Sequence, residues 1–128
     1  MLYKLTMVLL LLSVQTVRAK EISDEEICRA TIATVFGRSP EIIKVSRTVG
    51  STIYLSYIRP NDGTQWVNRC RVEVGTVVWA SEHGRWRTHP LDGEIGYSID
   101  NANQTIEITE RLADGSVNMM RYKFSQFF

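Results

Sequence analysis

The sequence predicts an α+β domain: one N-terminal helix packed on a curved antiparallel meander of about six or seven strands, tied by one disulfide. Three observations carry this. The apolar period changes from 3.6 residues to two after Pro40. The runs that follow are separated by short segments rich in Asn, Asp and Gly. Finally, the chain has only two cysteines, and each falls on the apolar side of its element.

The helix is predicted from Ser23 to Phe36. Ser23 is a capping residue, and Glu26 stands where a capping box needs a carboxylate. Asp24, Glu25 and Glu26 suit the positive end of the helix dipole. Gly37 supplies the left-handed residue that ends a helix. Ile27, Cys28, Thr31, Ile32, Val35 and Phe36 share one face, so the Cys28 sulfur points inward.

Strands are predicted over Ile42–Val49, Thr52–Arg59, Gln65–Val74, Val77–Ser81, Ile95–Asp100, Thr105–Glu110 and Val117–Phe124. The separators include Gly50-Ser51, Pro60-Asn61-Asp62-Gly63, Gly75, Asp100-Asn101-Ala102-Asn103 and Ala113-Asp114-Gly115-Ser116. These residues tolerate the conformations tight hairpins need, so neighbouring runs should pair antiparallel in sequence order. In the third run, Trp66, Asn68, Cys70, Val72 and Val74 fall on one face and Val67, Arg69, Arg71 and Glu73 on the other. The first face is the apolar one. Cys28 and Cys70 thus point into the same interior and should form a bridge from helix to sheet. The last residues, Ser125 to Phe128, should dock on the sheet.

Ahead of this domain, Met1–Ala19 reads as a secretory signal peptide: Lys4 is the positive start, Leu5–Val14 the short apolar run, and Val17-Arg18-Ala19 the cleavage site. Spanning a bilayer takes about 20 apolar residues, and this run has roughly half of that. The expected organisation is a signal peptide at 1–19 and one exported domain at 20–128, periplasmic or secreted, with no stable membrane span after cleavage.

Composition excludes several roles. The 128 residues hold 15 Lys+Arg against 14 Asp+Glu, with 44% apolar and 23% charged. Those are ordinary globular values, so disorder and low complexity are out. Removing Lys4 and Arg18 leaves 13 basic against 14 acidic residues. A near-neutral domain has no global field for nucleic acid or an anionic surface.

The chain also lacks the usual constellations of catalysis. The nearest approach to a nucleophile elbow, Gly37-Arg38-Ser39-Pro40-Glu41, has no second glycine. Phosphate loops, dinucleotide-binding glycines and the His-Glu-x-x-His motif are missing. His83 and His89, with Glu82 and Asp92 nearby, do not make the three or four spaced ligands a metal wants. No catalytic residue, metal or cofactor is expected. Asn103-Gln104-Thr105 matches the N-glycosylation pattern, which hairpin-turn chemistry also produces.

The distinctive segment is Ser81–Gly93, the longest stretch without strand pattern. It holds Trp86 between Arg85 and Arg87, with His83 and His89 to either side. Long connections in compact domains are often functional, and Trp and Arg often dominate binding energy. One reading makes these five residues a partner-binding loop, with Trp86 as anchor and the arginines meeting carboxylates. The other makes Trp86 a plug at the open end of the sheet. Arg69 and Arg71 would extend a basic surface in the first reading. The expected function is a protein-binding module of the cell envelope, acting stoichiometrically as inhibitor, immunity or accessory factor. The alternative is a small-ligand or envelope-associated carrier with an apolar pocket between helix and sheet, lined by Tyr54, Tyr57, Trp66 and Trp79.

Overall fold

The structure is a computed structural model that describes residues 21–128. The predicted signal peptide, Met1–Ala19, lies outside the described residues. Helix α1 runs over Asp24–Phe36. At its start the Ser23 amide donates to the Glu26 carboxylate at 3.1 Å, and the Ser23 hydroxyl meets the same group. At its end Gly37 takes φ +64°, and the Arg38 amide returns to the Ala33 carbonyl at 2.9 Å.

Seven strands follow in one antiparallel sheet whose spatial order is the sequence order. They are β1 (Lys44–Val49), β2 (Thr52–Ile58), β3 (Gln65–Val72), β4 (Thr76–Ser81), β5 (Glu94–Asp100), β6 (Thr105–Arg111) and β7 (Val117–Lys123). The sheet is open, with β1 and β7 at its edges. It curves round α1, which packs on β1, β2, β3, β6 and β7.

That curvature buries more of the helix than its apolar stripe implies. Besides Ile27, Cys28, Thr31 and Ile32, the small side chains of Ala30, Ala33 and Thr34 are buried, whereas Val35 and Phe36 are only half-buried. The two threonines are tolerated inside because their hydroxyls donate back to the Ile27 and Ala30 carbonyls at 2.8 and 2.9 Å. Ile32, Leu55, Ile106, Ile108 and Phe127 fill the space between helix and sheet.

The Cys28–Cys70 disulfide joins α1 to β3, with its Cα atoms 5.8 Å apart. A second tie is electrostatic. Arg29, on α1, donates from Nε to the Ile43 carbonyl (2.8 Å), from Nη2 to Pro40 (2.9 Å) and from Nη1 to Phe127 (2.9 Å). Its guanidinium also lies 5.2 Å from the centre of the Phe127 ring. Pro40 and Ile43 lead into edge strand β1, and Phe127 follows edge strand β7. One side chain therefore clasps the two edges that do not pair.

Some element ends differ from the sequence reading. Pro40–Ile42 is a 3₁₀ turn rather than the start of β1, because proline opens such a turn and the Ile43 amide closes it on the Pro40 carbonyl (3.2 Å). Strand β3 stops at Val72. Val74, which alternation puts on the buried face, is fully exposed in the hairpin turn at Gly75, closed by Glu73 N–H to the Thr76 carbonyl (2.9 Å). The tail docks as expected: Phe124–Gln126 forms a 3₁₀ turn, and Phe124 and Phe127 are buried.

Candidate functional site

Strands β4 and β5 pair only at Thr76–Gly96 and Val77–Ile95. Beyond that point the sheet splits, and the connecting loop occupies the gap. Its backbone is stitched in: the Arg87 amide donates to the Trp79 carbonyl at 3.0 Å, and the Glu82 amide to Val67 at 3.2 Å. Arg87 thus stands beside β4 where β5 would otherwise continue.

Trp86 turns to the sheet face opposite α1. There it sits 4.9 Å from the Arg69 guanidinium and 4.5 Å from that of Arg71. Arg69 also donates from Nε to the Ser81 carbonyl at 3.1 Å and from Nη2 to the Gly84 carbonyl. Ala80, opposite Arg69 in the register, is buried on this outer face. Trp86 is half-buried, while Arg85 and Arg87 on either side of it stay at the surface.

The loop closes on Asp92, at the end of a 3₁₀ turn over Pro90–Asp92. Arg85 grips this carboxylate bidentately at 2.7 and 2.8 Å, the His89 amide donates to it at 2.9 Å, and Arg87 stands 3.7 Å away. The Asp92 side chain is 6% exposed. Its pKa is pulled down to about 2, first by the Arg85 hydrogen bonds. Gly93 then turns the chain into β5 at φ +79°, where a Cβ would stand 2.4 Å from the Arg111 carbonyl oxygen.

The two predicted histidines play different parts. His83 is exposed and pairs with Glu82 at 3.0 Å. His89 accepts the Leu91 amide on Nδ1 at 3.1 Å, holding the turn. Among the described residues no three metal-ligating side chains come together. The structure thus brings Arg85, Trp86, Arg87 and His89 into one braced loop and leaves His83 at its rim. A slot of about 200 Å³ between the loop, β4 and β5 is lined by Trp79, Arg87, Asp92 and Ile95, among others. That is below the roughly 300 Å³ at which small-molecule pockets begin.

The four aromatic residues of the carrier reading do not share a wall. Tyr54 lies on the outer face with Arg47 over its ring at 4.0 Å, whereas Tyr57, Trp66 and Trp79 lie on the helix face. Those three gather around Phe36, at 6.2, 6.1 and 5.3 Å between centroids. Arg38 and Arg59 stack on this group, a feature the sequence reading missed. The available signals were Arg38 just past the helix-ending Gly37 and Arg59 closing the run that pairs with Trp66.

Comparison with family models, curated proteins and solved structures finds no match.

Proposed function

We propose that this protein is a small exported module that binds another protein of the cell envelope stoichiometrically, as an inhibitor, immunity or accessory factor, and performs no catalysis of its own. One observation carries the reading: the 81–93 loop is braced by its own contacts and by contacts to the sheet. Its Trp packs against the guanidinium groups of Arg69 and Arg71, its carboxylate is held by a fork of two hydrogen bonds, and its backbone is stitched to β3 and β4. A loop ordered in advance loses little conformational entropy on docking. Arg85, Arg87, His89 and Leu91 remain exposed on it, with Leu91 at 76%.

Export is supported by the disulfide, which persists in oxidising compartments, and by the N-terminal signal pattern. Among the described residues no helix is long and apolar enough to cross a membrane. The side chains buried between helix and sheet, Ile32, Leu55, Ile106 and Ile108 among them, support a binding surface over a carrier pocket at that place.

The test is capture from an envelope extract on the immobilised, disulfide-bonded protein, followed by stoichiometry of the purified complex. The expected result is one protein held at a one-to-one ratio. Leu91→Asp and Arg87→Glu, both exposed changes, should abolish capture while circular dichroism stays that of the parent. A partner held equally well by both folded variants would refute the assignment of this loop.

A further inference from the structure

The end of the sheet below the C-terminus of α1 collects cations and aromatic rings. Tyr57 and Trp66, opposite each other on β2 and β3, stack at 6.4 Å with 22° between their planes. Arg38 lies over Tyr57 at 5.8 Å, Arg59 over Trp66 at 5.3 Å, and Arg87 over Trp79 at 4.8 Å. Stacking on rings fixes the direction of a guanidinium without neutralising it.

Carboxylates are scarce here. Arg38 pairs with no carboxylate among the described residues. Among the described residues, the one carboxylate paired with Arg59 is Asp62, 3.6 Å away across an exposed turn, and the one near Arg87 is Asp92, which Arg85 already grips more closely. Hydrogen-bond donors are also in surplus. Among the described residues the Nε atoms of Arg38 and Arg59 have no hydrogen-bond partner. A region rich in donors and poor in acceptors is complementary to a ligand that brings acceptors. Trp66 at 38% exposure and Ile58 at 57% supply apolar surface beside the cations.

We propose that this arginine–aromatic end forms part of the partner interface beside the loop, and that it takes an acidic segment of the partner protein. Glu or Asp side chains would meet the exposed edges of Arg38 and Arg59 bidentately, and an apolar side chain would lie against Trp66. This rests on the protein-binding reading above and adds, beside the 81–93 loop, a second region of contact and its chemistry. Planar guanidinium forks match carboxylates. The near-neutral total charge gives a wide anionic surface no long-range attraction, which favours a short acidic segment over a lipid bilayer.

The purified, disulfide-bonded protein is titrated with a random Glu/Tyr copolymer while tryptophan fluorescence is followed. Saturable binding is expected, with most of the signal lost in Trp66→Phe. Arg38→Gln with Arg59→Gln should weaken it about tenfold or more, whereas Arg121→Gln, paired with Glu107 on the far strands, should not. Circular dichroism checks that each variant is folded. If the double variant does not fold, Arg59→Lys alone keeps the charge but not the fork and should weaken binding several-fold. No saturable binding, no effect of the arginine variants, or equal binding to phosphatidylglycerol vesicles would overturn the proposal. Loop-dependent capture of a partner could still succeed in that case, so the two ideas fail separately.

Discussion

Replacing Arg29 by Met keeps the aliphatic stem but removes the clasp between the two sheet edges. Three N–H donors are lost, to the carbonyls of Pro40, Ile43 and Phe127. A hydrogen bond from a charged donor contributes about 1.5–3 kcal/mol in favourable cases. The three share one cation, and burial itself pushes the Arg29 pKa down, so part of the gain is offset. We expect a net loss of about 3 kcal/mol, well short of three independent bonds. With an unfolding entropy of about 2.1 cal/mol/K per residue, a domain of this size converts that to about 13 °C of Tm. The assay is thermal and urea unfolding by circular dichroism, with amide hydrogen exchange to locate the damage. Exchange should accelerate first at Ile43 and Phe127, whose amides close turns on Pro40 and Phe124, and last in β3. Arg29→Lys should fall between parent and Met, since one ammonium cannot serve three diverging acceptors. A loss under about 1 kcal/mol, or faster exchange spread evenly over the sheet, would refute the clasp.

Two further predictions concern the disulfide and the loop. Replacing Cys28 and Cys70 together by Ala should cost about 4 kcal/mol from loop-closure entropy over the 42-residue separation, read as a lower urea midpoint; an unchanged midpoint would contradict it. The Asp92 carboxylate is held below its ordinary value by Arg85, so its contribution is complete above that ordinary value and is lost as pH falls through about 2. The amide signal of Arg87, bonded to the Trp79 carbonyl, should therefore stay native-like on acidification to about pH 4 and move toward its random-coil position between there and pH 2. In Asp92→Asn the loop should already be loose at neutral pH, and an ordered loop in that variant would be the contrary result.

Local patterns determined a large part of this molecule in advance. The bounds of α1 were legible because capping chemistry is local: Ser23, Glu26 and Gly37 act within one helical turn. The meander was legible because hairpin turns carry their own residues and the side-chain period of a strand is two. The disulfide followed from two cysteines on two inward faces. What alternation alone misjudged was where pairing stops: Val74 belongs by parity to the buried face, but β4 turns back before it.

Tertiary structure decided the rest, because those contacts join residues far apart in the chain. The curvature of the sheet made Ala30 and Ala33 core residues. It also brought Pro40 and Phe127 within reach of the single Arg29 side chain. The split between β4 and β5 turned the Arg85–Arg87 stretch into a braced loop, with Asp92 seven residues from Arg85 as its counter-charge. The stack of Arg38, Tyr57, Trp66 and Arg59 exists only because the end of α1 lands beside the β2–β3 hairpin. Periodicity tells which way a side chain faces; only packing tells what it meets there.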